Sequence, residues 1–249
     1  MLQERIVEGK PALIIEGERK YIVISDLHLG FEGSFATNEI FIGKNTTVNE
    51  TIEELLEIIK QEKPDSVILL GDIKSSIKNI SKTEWNEVPL FFNRIKEKCQ
   101  IFLIPGNHDA GIARLVPDEI SMISSVGMVA EDILFTHGHR IPSENFSNVK
   151  KIVMGHIHPV FFQKDSIVNG QQVWISVRTN KENIFPSKSG EIEITIVPSF
   201  NKYFYATNKK KYKKSISPII EKIKPVSSAR IVTLDGIIIG DESILDQIL

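Results

Sequence analysis

The chain has 249 residues, 41% hydrophobic and 25% charged, with a formal net charge of -2. That composition excludes a disordered or membrane-embedded class and bounds the fold at one compact unit with a small appendage at most. The near-neutral balance excludes wholesale electrostatic attraction to nucleic acid, so any such binding must rest on a local patch.

In chain order, Met1 to Lys10 (MLQERIVEGK) has no apolar signal core, and no apolar run approaches the roughly 20 residues of a membrane span. A cytoplasmic protein with no membrane contact is expected. Ala12 to Ile15 and Tyr21 to Ser25 are apolar runs across a polar turn and read as a hairpin. Thr51 to Gln61 spaces Ile52, Leu55, Leu56, Ile58 and Ile59 as an amphipathic helix, and Pro64 closes it. Val67 to Leu70 is a short continuous apolar run, as in a strand covered on both faces.

Thr83 to Lys98 repeats the helical spacing, with Pro89 predicting a kink or a late start, and Ile101 to Ile104 returns as a buried strand. The second half is richer in strands: Gly127 to Ala130, Ile133 to Thr136, Ile152 to Met154, Gln172 to Val177 and Glu191 to Val197. Asn208 to Lys214 (NKKKYKK) is a basic run expected in a surface loop, and Ile231 to Ile239 forms a terminal hairpin about Asp235-Gly236. The lone Cys99 excludes an internal disulfide and reads as a small hydrophobe. No internal repeat is present.

Five of these apolar runs end in polar residues, where sites in sheet proteins tend to lie. Ser25-Asp26-Leu27-His28, Gly71-Asp72, Gly106-Asn107-His108-Asp109, Thr136-His137-Gly138-His139 and Gly155-His156-Ile157-His158 each follow a strand. All six histidines of the chain lie in these motifs. The Asp26/His28 and His156/His158 pairs are spaced i, i+2, which in extended backbone turns both side chains to one side. An isolated Asp-x-His or Gly-Asp says little. Gly-Asn-His-Asp directly after Ile101 to Pro105 is hard to justify as packing, and the ordered set of five is harder still. Carboxylate and amide oxygens mixed with imidazoles suit Mn²⁺, Fe²⁺ or Zn²⁺.

The order of these motifs from Asp26 to His158 resembles the calcineurin-like metallophosphoesterases. More finely, it resembles archaeal SbcD-related proteins and the DNA-ligase-associated phosphoesterases. The resemblance implies an α/β (α+β) fold, a four-layer α/β/β/α sandwich flanked by helices. It places the phosphoesterase domain at residues 1–207, with the basic loop and C-terminal strands of 208–249 packed on it. It implies two divalent ions, Mn²⁺ first with Fe²⁺, Zn²⁺ or Co²⁺ as alternatives. One would be held by Asp26, His28, Asp72 and His158, the other by Asp72, Asn107, His137 and His156. Phosphodiesters would then be hydrolysed through a metal-bridging hydroxide. His108 would protonate the leaving oxygen, with Asp109 orienting its ring.

His139 would stand beside the ligands or face substrate. Arg140 would contact a phosphate or pair on the surface. Many relatives carry a histidine a few residues after the bridging aspartate, whereas this chain reads Gly71-Asp72-Ile73-Lys74-Ser75-Ser76, and Lys74 would serve the phosphate or be solvated. The finer resemblance implies a nucleic-acid substrate and a DNA-repair partner, with Lys209, Lys210, Lys211, Lys213 and Lys214 about Tyr212 supplying contacts unless they are a solvated loop. A small nucleotide, a phosphomonoester and an inactive scaffold are the competing readings.

Overall fold

The computed structural model describes residues 2–32, 46–203, 217–223, 226 and 228–248. The apolar runs become strands of two sheets. The first has six strands in the order β1 (Gln3–Ile6), β2 (Leu13–Glu16), β3 (Lys20–Ile24), β4 (Ser66–Leu69), β5 (Gln100–Leu103) and β6 (Ser121–Met122). From β3 to β6 the pairings are parallel, whereas β1, β2 and β3 form antiparallel hairpins.

Parallel neighbours need crossovers, and helices supply two of them. α1 (Thr46–Glu62) joins β3 to β4 and α2 (Lys82–Ile95) joins β4 to β5. α1 is a turn and a half longer than its periodicity predicts and buries Val48, Ile52, Leu55, Ile58 and Ile59 against the sheet. Each such side chain removed from water contributes about 1.5–3 kcal/mol. α2 begins at a capping box in which Ser81 accepts from the Glu84 amide and Glu84 reaches back. Pro89 lies inside this helix, which begins at Lys82, so the late start is not observed.

The second sheet has the order β13 (Ile238–Asp241), β12 (Ser228–Thr233), β10 (Val173–Asn180), β11 (Glu191–Ile196), β9 (Lys151–Met154), β8 (Ile133–Thr136) and β7 (Met128–Ala130). β8, β9 and β11 run parallel and the other pairings are antiparallel. α3 (Pro218–Ile223) packs Ile219, Ile220 and Ile223 on its outer face.

Three cores follow from this layering. One lies between the first sheet and α1 and α2, one beneath α3, and one between the sheets, where Leu13, Val23, Leu70, Phe135, Val153 and Trp174 meet. The expected four-layer sandwich is thus the observed architecture. β1, β6 and α3 are elements that the hydrophobic pattern did not disclose. The basic run 208–214 lies outside the described residues. Among the described residues no helix is long and apolar enough to cross a membrane.

Candidate metal centre

The parallel strands β3, β4, β5, β8 and β9 all point the same way within their sheets, so the five polar motifs gather at one end of the sandwich. There the backbone departs from strand geometry. Asp26, His28, Asp72, His156 and His158 have φ of 57°, 44°, 50°, 73° and 47°. Each is a left-handed conformation that costs about 1–3 kcal/mol in a residue with a side chain. The i, i+2 pairs therefore converge from left-handed turns, not from the extended backbone that their spacing implied.

Neighbouring glycines are required by space. A Cβ on Gly106 would stand 2.2 Å from Asp72 Oδ1, and one on Gly155 would stand 1.7 Å from Ser25 Oγ. The motifs press on one another that closely.

Two groups of donor atoms result, Asp26, His28, Asp72 and His158 in one and Asp72, His137 and His156 in the other, each with its atoms within 4.8 Å of one another. Asp72 belongs to both. Its Oδ2 lies 3.8 Å from His28 Nε2, while its Oδ1 lies 3.4 Å from His137 Nε2 and accepts the His108 amide at 2.8 Å. Asn107 Oδ1 is 3.1 Å from His137 Nε2, which places the amide oxygen with the second group.

The ring orientations are set by carbonyls. His137 Nδ1–H donates to Leu70 O at 2.6 Å, because a carbonyl only accepts, and this leaves Nε2 bare toward Asp72. His108 Nδ1–H donates to Ser75 O in the same way, and its Nε2 faces Asp72 Oδ2 at 3.8 Å. Ser25 Oγ–H and the His156 amide donate to Asp26 Oδ2 at 2.6 and 3.0 Å. Asp26 Oδ1 receives no hydrogen bond and faces His158 Nε2 at 3.0 Å, and His158 Nε2 lies 3.3 Å from His28 Nε2. A wholly buried carboxylate oxygen with two imidazole nitrogens turned toward the same point is the donor set of a cation.

The electrostatics agree. Burial, and then the neighbouring His158, lowers His28 to about 3, and burial with His137 lowers His156 to about 4, so both rings are neutral with lone pairs to give at pH 7. Burial opposes charge on His137 as well, but Asp72 and Asp26 outweigh it and raise that ring to about 9. The extra proton would sit on Nε2, between Asp72 Oδ1 and Asn107 Oδ1, where the acids draw in positive charge. Burial would raise Asp26, yet His158 and His137 carry it down to about 2.

Two expected roles are corrected by the geometry, those of Asp109 and Lys74. Asp109 does not orient the His108 ring. Its buried carboxylate accepts the amides of Ile73 at 2.9 Å, Lys74 at 3.3 Å and Gly106 at 2.8 Å, tying the Asp72 and Asn107 loops together. Lys74 is wholly buried, with its ammonium donating to Ser76 O, so it is neither solvated nor presented to a phosphate. Arg140 is exposed. His139 is half-buried, its ring centroid 5.2 Å from that of His137, and burial lowers it to about 4. It borders the second donor group.

Sequence reasoning passed over Ser199 and Asn201. They follow β11 and reach the Asp26 loop, where Ser199 Oγ donates to Asp26 O and Asn201 Nδ2 donates to Leu27 O, each at 2.8 Å. Serine and asparagine carry no distinctive spacing, and only the β11 strand pattern ending beside them pointed this way.

Comparison with known proteins accords with this site. A family model described as calcineurin-like phosphoesterase matches residues 19–181, which span all five motifs. No curated protein matches significantly. Among solved structures, nuclease MPE of Pseudomonas putida is similar over 94% of this chain and 98% of its own, at 15% identity and a TM-score of 0.52. Yfce, a phosphoesterase from E. coli, aligns over 89% of this chain and 97% of its own, at 17% identity and a TM-score of 0.40.

Proposed function

Since the chain belongs to the calcineurin-like phosphoesterase family of metal-dependent hydrolases, we propose that it hydrolyses phosphodiester bonds with two divalent ions, and that its substrate is nucleic acid. The observation that carries the two-ion reading is Asp72, whose two oxygens face separate donor groups. Asp26, His28 and His158 complete the first with Asp72, and Asn107, His137 and His156 complete the second. Oxygen and imidazole donors of this kind suit Mn²⁺. Ions bound there would lower the pKa of a coordinated water toward neutrality and offset charge on the phosphoryl oxygens.

The chain's own residues supply the remainder. The Leu70 carbonyl takes the Nδ1 proton of His137, so that Nε2 is the atom that would offer its lone pair to an ion displacing the second proton. The Ser75 carbonyl takes the Nδ1 proton of His108, so that Nε2 is the atom turned outward, and the imidazolium form of the ring would give its second proton from there to the leaving oxygen. That nitrogen stands beside Asp72 and is partly open to solvent, as an acid meeting substrate must be. Asp109 keeps the Asp72 and Asn107 loops in register through its three amide bonds.

A diester in nucleic acid is favoured by the motif order, which resembles SbcD-related proteins, and by a fold shared with a protein described as a nuclease. The test is hydrolysis of bis-p-nitrophenyl phosphate, p-nitrophenyl phosphate and labelled single-stranded DNA by metal-stripped protein after Mn²⁺ is restored. Diester and DNA cleavage, with His108→Ala lowering kcat by about 10²–10⁴-fold, is the expected result. Turnover of the monoester alone would redirect the reading to a small-molecule phosphatase. Bound metal without turnover would favour a scaffold.

A further inference from the structure

The Asp26-Leu27-His28 turn supplies two donors to the first group, and it is strained at both. Its amides and its carbonyls are held from different sides. The amides of Asp26, His28 and Leu29 donate to the carbonyls of Gly71, Asp72 and Ile73 at 3.1, 2.9 and 2.8 Å, so the first sheet's neighbouring loop holds one edge. The carbonyls of Ser25, Asp26 and Leu27 face the other way. They accept from Phe200 N at 2.8 Å, from Ser199 Oγ at 2.8 Å with Asn201 N at 3.4 Å, and from Asn201 Nδ2 at 2.8 Å.

The donors all come from residues 199–201, which continue from β11 of the second sheet. This strap is itself fixed. Gln172 Nε2 donates to Ser199 O at 2.8 Å, and Asn201 Oδ1 accepts the Tyr203 amide at 2.9 Å. Ser199 and Asn201 are 1% and 5% exposed, so water does not compete for these bonds. A strained turn keeps its geometry only where its surroundings over-determine it. Here the over-determination bridges the two sheets, and the strap lies beyond the 19–181 segment that the family model matches.

We infer that Ser199 and Asn201 are positioning residues for the first donor group: they clamp the carbonyl edge of the Asp26–His28 turn and so set the affinity of that group, and not of the second, for a divalent ion. The inference rests on the two-ion reading given above. The second group draws on Asp72, Asn107, His137 and His156, none of which receives a hydrogen bond from residue 199 or 201 among the bonds described.

The experiment is calorimetric titration of metal-stripped protein with Mn²⁺, beside a thermal melt of each variant. Wild type should bind two equivalents. Ser199→Ala and Asn201→Ala should each weaken one step by about 10- to 100-fold and leave the other in place. Ser199→Thr, which keeps the hydroxyl, should restore it. Asn201→Asp puts an acceptor against the Leu27 carbonyl at unchanged size and should behave as Asn201→Ala, so that a folding failure of one variant leaves the other to decide. Thr179→Ala is the control, a wholly buried hydroxyl at the far end of β10 bonded to Asn183 and Ile223. It should lower the melting temperature and move neither step.

Wild-type affinity at both steps in the strap variants would overturn the inference. Equal weakening of both steps, in proportion to lost thermal stability as in Thr179→Ala, would do so too. A wild-type protein that binds no Mn²⁺ would sink the two-ion reading itself, which is a distinguishable failure.

Discussion

Asp109 shows how a single side chain is read differently from its neighbours in sequence and in space. Adjacent to His108, it resembles a group that orients an imidazole. In the fold its two oxygens take three backbone amides, and burial, reinforced by the charge of Asp72, raises it to about 6. Asp109→Asn would set an amide N–H against those donors, at a cost of about 1–3 kcal/mol. A lowered melting temperature together with weaker Mn²⁺ binding is expected. Loss of kcat alone, with stability and metal affinity intact, would return Asp109 to the role of orienting His108. The residues that meet at the site were legible because histidine, aspartate and asparagine after apolar runs are costly to explain as packing. Their left-handed backbone was not, since i, i+2 spacing names neither conformation. The buried Lys74 ran against its residue type altogether.

At the scale of the element, α2 carries a titratable group that its packing disfavours. Glu87 is 2% exposed, its Oε2 has no hydrogen-bond partner, and burial followed by the charge of Glu32 raises it to about 7 from an ordinary value of 4.5. The folded state therefore binds more protons than the unfolded one between about pH 4.5 and 7, and the contribution of this residue to stability falls as pH rises through that window. Glu87→Gln should remove the fall, adding about 1–2 kcal/mol at pH 8 and little at pH 4. Denaturant unfolding at both pH values measures it. An equal change at the two would mean that the carboxyl is not the cause. The strands and helices themselves were legible where the pattern was long or continuous, as at β8 and in α1. β1, with its exposed Gln3, Glu4 and Arg5, has no apolar alternation to reveal it and forms by pairing with β2. Pro89 did not delay the start of α2, because one missing amide is tolerated in a helix whose apolar face, Val88, Phe91, Phe92 and Ile95, is buried.

At the scale of the molecule, two sheets built in sequence place their parallel strand ends at one pole, and the site is assembled from both. Asp26, Asp72, Asn107 and His108 come from the first sheet, and His137, His156 and His158 from the second. Strand succession was legible, but the order of the second sheet, with β10 between β12 and β11, was not, because neighbours far apart in sequence leave no local trace. The central claim is that this joint between sheets holds two ions that act together on a phosphodiester. Stepwise return of Mn²⁺ to metal-stripped protein, with bis-p-nitrophenyl phosphate hydrolysis followed at each addition, tests it most directly. The account predicts activity that reaches its plateau only at two equivalents and is abolished in Asp72→Asn. Full activity at one equivalent, or hydrolysis that survives in Asp72→Asn, would contradict it.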